Sequence, residues 1–177
     1  MLGTLRHDWR RSRRTFDESD AAAIEPYIGV LRRFAMGLSH DADFADDLVQ
    51  GSLGRAADRW HLRTEDGDLK TWLFGIVYRQ FINGRRPARC GIPASGIGLP
   101  FEPAATRGEE RPRPVDVLRA VERLSDEHRA LILLIDVEEV SYDAAARILG
   151  TPIGMTMSRL SRAREQLRHL LAGQAAA

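Results

Sequence analysis

The sequence predicts an all-α protein made of two small helical domains that a flexible linker joins. Apolar residues recur at three- and four-residue steps through most of the chain, which is the spacing of a buried helix face. Most of the prolines and several glycines lie between residues 87 and 114, where helical periodicity is almost absent. We therefore divide the chain into a basic arm (1–19), a first helical domain (20–86), the linker (87–114) and a second helical domain (115–177).

The N-terminal arm is rich in arginine, which favours a solvated tail. Its arginines are Arg6, Arg10, Arg11, Arg13 and Arg14. A contact with phosphates or with an acidic partner is the alternative. After the arm, apolar spacing predicts a first amphipathic helix from about residue 25 to 38, with Pro26 in its first turn.

A second helix is predicted from about residue 41 to 60, and its apolar residues cover more than half of its circumference. Aspartates near its start suit the positive end of the helix dipole. The remaining arc contains Asp46, Asp47, Gln50, Gly51, Gly54 and Asp58. Because a glycine destabilises a helix by about 1 kcal/mol relative to alanine, this arc indicates a surface that another protein approaches closely. A solvated acidic face is the alternative.

A polar loop (61–68) leads to a third predicted helix (69–85). Aromatic and basic side chains gather on one side of this helix, namely Phe74, Tyr78, Phe81 and Arg85. Single-stranded DNA binding uses such interleaved groups, because bases stack on rings while arginines hold the backbone. Packing of the helix between two others would require the same aromatic residues, so both interpretations stand.

The second domain begins with a short helix near Val115, and Ser125 is a suitable N-cap for a strongly apolar helix that runs to about residue 138. Ser141 caps the next helix, and Gly150 suits its left-handed C-terminal stop. The Thr-Pro pair that follows begins another helix. Two helices across so tight a turn form a helix-turn-helix, a common DNA-binding hairpin.

The last helix has two different faces. We expect its apolar face to be buried, and that face contains Ile153, Met157, Leu160, Leu167 and Leu171. The opposite face contains Met155, Ser158, Arg159, Ser161 and Arg162. Hydroxyls and guanidinium groups on such a face can bond to base edges and phosphates in a major groove. Arg164 lies near the apolar line, so we expect its stem to pack and its head to meet a carboxylate or a phosphate. An ordinary helical hairpin with a solvated arginine face is the alternative.

Charge and composition narrow the functional classes. The formal net charge is +1, which argues against a protein that holds DNA by bulk electrostatics alone. The single cysteine, Cys90, cannot form an internal disulfide, and no spacing of Cys and His suggests zinc. The N-terminus has no apolar signal core, and the longest aliphatic run, 131–137, is too short to span a bilayer. We expect a cytoplasmic protein without metal, cofactor or catalytic centre.

Two long segments resemble a known family. FADDLVQGSLGRAADRW and LKTWLFGIVYRQFINGRR resemble region 2 of sigma factors, and VERLSDEHRALILLIDVEEVSYDAAARILGTPIGMTMSRLSRAREQLR resembles region 4. Their order, with a short linker and no region 3 between them, is similar to that of the extracytoplasmic-function, or group 4, sigma factors of bacterial RNA polymerase. The resemblance implies a protein that directs core polymerase to promoters.

The resemblance also implies three binding surfaces. Core RNA polymerase would contact region 2 through the β′ clamp and region 4 through the β flap, and the clamp would meet Asp46, Asp47 and Gln50. The minus-10 element, melted and with a base flipped into the loop, would meet His61, Arg63, Phe74, Tyr78, Arg79, Asn83 and Arg85. The minus-35 duplex would meet Met155, Ser158, Arg159, Ser161 and Arg162.

Three positions depart from the family pattern. Gly51 stands where an acidic residue is usual, Arg79 replaces a usual asparagine, and GMTMSR replaces the usual GTVxSR. The WHL and DADFADDLVQ segments resemble the alphaproteobacterial general-stress subgroup, and the family implies an anti-sigma factor as a partner. A sigma-like decoy that binds an anti-sigma factor without starting transcription, and a plain helix-turn-helix regulator, are the alternatives.

Overall fold

The computed structural model describes residues 16–64, 67–85 and 114–174, and these ranges contain helices and no strand. The α-helices are α1 (Glu18–Ile24), α2 (Ile28–Ser39), α3 (Ala42–Asp58), α4 (Leu69–Arg85), α5 (Pro114–Glu122), α6 (Asp126–Ile132), α7 (Tyr142–Leu149) and α8 (Ile153–Gln174). The predicted linker, except for Pro114 at the start of α5, and most of the predicted basic arm lie outside the described residues. Among the helices described, none is long and apolar enough to cross a membrane.

Side-chain caps explain where several helices begin. Asp41 accepts a hydrogen bond from the Phe44 amide at 2.9 Å at the start of α3. Ser125 and Ser141 cap α6 and α7 in the same way, as the sequence predicted. The predicted stop at Gly150 is also confirmed, because its φ of 69° is the left-handed conformation that glycine tolerates.

Helix α1 is an element that the apolar spacing missed. It begins in a capping box, in which the Asp17 carboxylate accepts from the Asp20 amide at 3.0 Å and the Asp20 carboxylate accepts from the Asp17 amide at 3.2 Å. Of its seven residues, only Asp20 and Ile24 are buried. A helix held by its cap and by so few buried side chains leaves little hydrophobic periodicity to detect.

Helices α2, α3 and α4 enclose the first hydrophobic core. Phe34 of α2 and Phe74 of α4 meet edge to face with their ring centroids 4.9 Å apart. Trp60, in the single 3₁₀ turn after α3, packs in the same edge-to-face manner on Phe16 and on Trp72. These aromatic contacts fix α4 and the loop before it, which together carry most of the predicted minus-10 residues.

The second half is built by α5, α6, α7 and α8, and its core differs from the prediction. The buried line of α8 runs through Thr156, Leu160 and Ala163, whereas Ile153 and Met157, which we expected to be buried, are about half exposed. Two overlapping sets of residues on α8 fit the spacing of a buried helix face. The structure selects the one that contains Thr156, because this hydroxyl lies 2.8 Å from that of Thr151 and bonds to a backbone carbonyl at 3.2 Å.

The two halves pack against each other and share one hydrophobic core. Helix α7 lies on α4, α6 lies on α2, and alanines of α7 join the first core. At Gly37 the α2 backbone comes so close to Leu133 that a β-carbon would lie 2.8 Å from that leucine's Cδ1. Lys70 Nζ also donates across the junction to the backbone carbonyl of Glu138 at 2.6 Å. The described residues therefore adopt a closed arrangement of the two halves.

Candidate nucleic-acid interface

The outer face of α3 carries the predicted polymerase contacts. Asp47 and Gln50 are exposed on it. Asp46 also lies on this face but receives two hydrogen bonds from Arg32 of α2, Nε to Oδ1 at 2.6 Å and Nη2 to Oδ2 at 2.8 Å. This bidentate pair holds Asp46 in one orientation, so Asp47 and Gln50 are the more accessible groups.

The glycines of α3 do not behave alike. A β-carbon at Gly54 would meet nothing within 4 Å, so the close approach of a partner there stays a prediction. A β-carbon at Gly51 would lie 2.3 Å from Nε2 of Gln80, so this glycine faces α4 of its own chain. Gln80 is held there by the Ser52 hydroxyl, which donates to its amide oxygen at 3.2 Å. The expectation that Gly51 lies on the partner-facing arc is therefore wrong.

The aromatic side of α4 is mostly core. Phe74 is 0% exposed and Phe81 is 1% exposed, so neither ring can stack on a DNA base in this arrangement. The prediction of Phe74 as a minus-10 contact is therefore wrong, and its packing against α2 is the reason. Arg79 and Asn83 are exposed, as their predicted roles require, while the side chain of Arg85 lies outside the described residues.

Tyr78 lies at the edge of this surface, half-buried under the second half of the chain. Burial raises the pKa of Tyr78 to about 12, with Glu127 and Asp126 adding to the shift and Arg159 opposing it. These three charged residues belong to α6 and α8, so both of these helices lie within electrostatic reach of α4. The Tyr78 hydroxyl stays protonated and can donate a hydrogen bond.

A groove of about 280 Å³ lies between α4 and α7. Tyr78, Arg79 and Asn83 line it from α4, and Arg147 and Gly150 line it from the helix-turn-helix. Two arginines and an amide suit an anionic or base-bearing ligand. Because α7 forms one wall, part of the α4 surface that is predicted to bind DNA is covered when the halves are closed.

The loop before α4 is anchored by one stacked arginine. The guanidinium of Arg63 lies 4.7 Å from the ring centroid of Trp60, a cation–π contact. His61 is exposed beside it, whereas residues 65 and 66 of the predicted base-capturing loop lie outside the described residues. Arg63 therefore has a structural contact in addition to its predicted contact with DNA.

The outer surface of α8 presents most of the predicted minus-35 contacts. Met155, Ser158, Ser161 and Arg162 are exposed there. Arg159 differs, because its guanidinium is half-buried and pairs with the carboxylate of Glu127 on α6. Arg164 pairs with Asp136, donating from Nε to Oδ2 at 3.1 Å, which confirms its predicted structural role. The structure thus brings together four of the five predicted residues as an accessible face.

Arg129 is the residue that the sequence analysis missed. It is 6% exposed and links α5, α6 and α2 by donating to four backbone carbonyls, those of Leu38, Val121, Glu122 and Leu124. The signal was present in the sequence, because an arginine lies inside the apolar segment that forms α6. A buried arginine with several donors satisfied indicates a structural junction rather than a binding surface.

Each half of the chain matches a known protein family separately. Residues 24–78 match the family described as the Sigma2 domain of PhyR, and residues 115–167 match the family described as Sigma-70, region 4. The ECF RNA polymerase sigma factor EcfG of Rhodopseudomonas palustris (strain TIE-1) is 32% identical over 142 residues, which cover 80% of this chain and 78% of that protein. The ECF sigma factor SigM of Mycobacterium tuberculosis (strain ATCC 25618 / H37Rv) is 31% identical over 80% of this chain and 71% of its own length.

Solved structures show the same architecture. The sigma factor RpoE of Bartonella quintana, solved in complex with the anti-sigma factor NepR, superposes with a TM-score of 0.67 at 32% identity. The match covers 88% of this chain and 98% of that one. CnrH, solved with the cytosolic domain of CnrY, has a TM-score of 0.64 at 21% identity over 86% of this chain and 87% of its own, a likeness of fold alone.

Proposed function

The chain belongs to the extracytoplasmic-function sigma factors of bacterial RNA polymerase, and from that premise we propose which of its surfaces bind the polymerase and which bind the promoter. As a member of this family it directs core RNA polymerase to promoters so that transcription begins. Its two functional parts are the proposed domains 20–86 and 115–177, joined by the segment 87–114. Because core polymerase acts in the bacterial cytoplasm, we place the protein there.

The outer face of α3 is the proposed docking site for the β′ clamp of polymerase. Asp47 and Gln50 supply an exposed carboxylate and an exposed amide on adjacent turns. Asp46 adds a third polar group, although its pairing with Arg32 makes it a weaker contributor. The second proposed polymerase contact is between region 4 and the β flap. The exposure of the α3 face is the observation that carries this assignment.

Promoter DNA is proposed to meet the protein at two sites. At the minus-10 element, Tyr78, Arg79 and Asn83 would contact the melted strand, with His61 and Arg63 in the loop beside them. Arg85, at the end of α4, completes that set. At the minus-35 element, the outer face of α8 would enter the major groove of the duplex.

An anti-sigma factor is the proposed regulator. RpoE of Bartonella quintana is a relative that was solved with such a factor, NepR. In the present chain the α7 wall already covers part of the α4 surface, so a partner that holds the two halves together would keep polymerase from using them. The resemblance of the WHL and DADFADDLVQ segments to the general-stress subgroup supports a role in the general stress response.

Competition for core polymerase tests the docking assignment. The double variant Asp47→Ala, Gln50→Ala should bind core polymerase at least tenfold more weakly than the unmodified chain, because contacts at the centre of an interface dominate its affinity. Glu165→Ala, which removes an exposed carboxylate from α8, is the matched control and should bind normally. Equal affinity of the double variant and the control, with helicity preserved in both, would rule out the α3 face as the docking site.

A further inference from the structure

Three irregular features lie together in the segment that precedes the helix-turn-helix. The chain leaves α6 through a π turn, Leu133–Val137, a rare element that is frequent at functional positions. Glu139 has a φ of 54°, a left-handed conformation that strains a residue with a long side chain. Glu138, between the two, is 5% exposed, and no described residue donates a hydrogen bond to its Oε1. Such unfavourable features persist only where the surrounding structure compensates for them, and their clustering is typical of a switch region.

The same segment is where the second half of the chain contacts both α2 and α4. The backbone carbonyl of Glu138 accepts the hydrogen bond from Lys70 Nζ of α4 at 2.6 Å. The Glu138 carboxylate accepts from Arg33 Nη2 of α2 at 3.3 Å, a long bond from a side chain that is 64% exposed. We call Arg33, Lys70 and Glu138 the junction cluster. It joins two helices of the first half to the segment that leads into α7, the helix that covers part of α4.

Lys70 is the contact of the junction cluster that favours closure. Of the 26 lysine and arginine residues in the chain, Lys70 is the only lysine. A compact ammonium group suits a single carbonyl acceptor, whereas a guanidinium group suits a planar acceptor with two oxygens. A hydrogen bond from a charged donor is stronger than one between neutral groups. Because the acceptor is a backbone carbonyl, this bond does not depend on the side chain of Glu138.

The Glu138 carboxylate, in contrast, favours opening. A buried carboxylate has lost its hydration, and one long bond from Arg33 compensates for only part of that loss while Oε1 stays without a donor. When the halves separate, water can reach both oxygens. Arg33 is largely hydrated in the closed arrangement, so it loses little when the pair breaks. The junction cluster therefore combines one contact that holds the halves together with one buried charge that opposes it.

We propose that the junction cluster is an autoinhibitory contact, in which Lys70 holds the free chain closed without any partner and the buried Glu138 carboxylate keeps the closed form able to open. The inference rests on the proposed function, because closure covers the proposed minus-10 surface of α4 that Tyr78, Arg79 and Asn83 line. It extends that function by making closure a property of the chain itself. An anti-sigma factor would then stabilise an arrangement that the free chain already adopts.

Single-molecule energy transfer in the free chain tests the junction cluster without polymerase or DNA. Fluorophores at Asp58 and Glu165 distinguish closed from open molecules. Lys70→Met keeps most of the apolar stem but removes the donor, so the ratio of open to closed molecules should rise at least about tenfold. Glu138→Gln keeps the shape and the backbone carbonyl but removes the buried charge, so the same ratio should fall about threefold or more. Arg168→Met, which removes an exposed cation from α8, is the control and should leave the ratio unchanged.

Acetylation of the only lysine gives a second measurement that needs no fluorophore. An amine-reactive acetylating reagent modifies Lys70, and mass spectrometry compares its rate with that of the N-terminal amine in the same sample. Since the bond to the Glu138 carbonyl protects the ammonium group in the closed form, the rate should follow the fraction of open molecules. It should therefore be about threefold lower in Glu138→Gln than in the unmodified chain, and higher once core polymerase is bound.

Runoff transcription then connects closure to function. With the chain limiting, Glu138→Gln should give about threefold less promoter-directed transcript than the unmodified chain, because fewer molecules are open. An unchanged open fraction in Lys70→Met, a raised one in Glu138→Gln, or full transcription by Glu138→Gln despite its stronger closure would each overturn the inference. If the unmodified chain directs no transcription at all, the proposed function is contradicted instead, and the two measurements on the free chain still decide whether Lys70 holds it closed.

Discussion

Replacing Arg129 with methionine should show how much its buried guanidinium stabilises the fold. The side chain donates from Nη1 to the Leu38 carbonyl at 2.8 Å, and from Nη2 to the carbonyls of Glu122 and Leu124 at 2.7 and 2.9 Å. Its Nε donates to the Val121 carbonyl at 3.2 Å. Methionine has a similar length but no donor, so the four carbonyls would lose this partner, as would the Asp126 carboxylate, whose Oδ1 lies 3.5 Å from Nη1.

The expected loss of folding stability follows from the number of hydrogen bonds removed. A buried polar group without a hydrogen bond costs about 1–3 kcal/mol. Water can reach some of the freed carbonyls, so we expect Arg129→Met to lower the free energy of unfolding by about 3–5 kcal/mol, as for other buried charged groups. That is a large part of the roughly 5–15 kcal/mol that stabilises a typical domain.

Urea unfolding followed by circular dichroism measures this free energy. Arg147→Met is the matched control, because Arg147 is exposed and pairs with Asp143 along the surface of its own helix. A surface pair of that kind contributes about 0.3–0.5 kcal/mol. If Arg129→Met loses less than about 1 kcal/mol, with the urea dependence of stability unchanged, the proposed structural role of the buried guanidinium is refuted.

Three further experiments probe the same architecture. Burial raises the pKa of Tyr78 to about 12 from an ordinary value of 10.0, so the tyrosine of the unfolded chain ionises first as the pH rises. The stability that Tyr78 contributes is therefore intact below pH 10 and is lost as the pH rises towards 12. Tyr78→Phe should remove that part of the alkaline loss of stability in denaturation curves, and an unchanged curve would contradict the shift. Gly29→Ala, in open space, should raise the melting temperature because alanine favours the helix. Gly37→Ala should lower the melting temperature, because its β-carbon would lie 2.8 Å from a leucine of the other half. Equal gains in the two variants would contradict the close packing. Fluorophores at Asp58 and Glu165 should show high energy transfer in the free chain and low transfer on core polymerase, and equal transfer in both states would contradict opening.

Local signals in the sequence were sufficient to predict most of the helices. Caps and stops act within a few residues, so Ser125, Ser141 and Gly150 could be assigned from their neighbours alone. The structural role of Arg164 followed from its place on the helix circumference. The same argument failed for Ile153 and Met157, because two stripes with the same spacing compete on α8 and only the packing of Thr156 selects one.

Contacts between distant segments could not be predicted in this way. The closed arrangement depends on Leu133 meeting Gly37 and on Lys70 reaching the carbonyl of Glu138, and neither pair leaves a periodic pattern. Phe74 illustrates the consequence for the candidate site. An aromatic residue on a helix with basic neighbours suits both DNA stacking and core packing, and the choice depends on whether another helix covers it.

Runoff transcription from a promoter library with purified core polymerase tests the central claim most directly. Adding this chain should produce transcripts from discrete start points, each downstream of a shared minus-10 and a shared minus-35 sequence. The chain alone should bind those promoters weakly, because its net charge of +1 gives little attraction to phosphates. Tight binding to core polymerase without any transcript would identify a decoy, and tight sequence-specific binding by the chain alone would identify a plain helix-turn-helix regulator; either result would contradict the account.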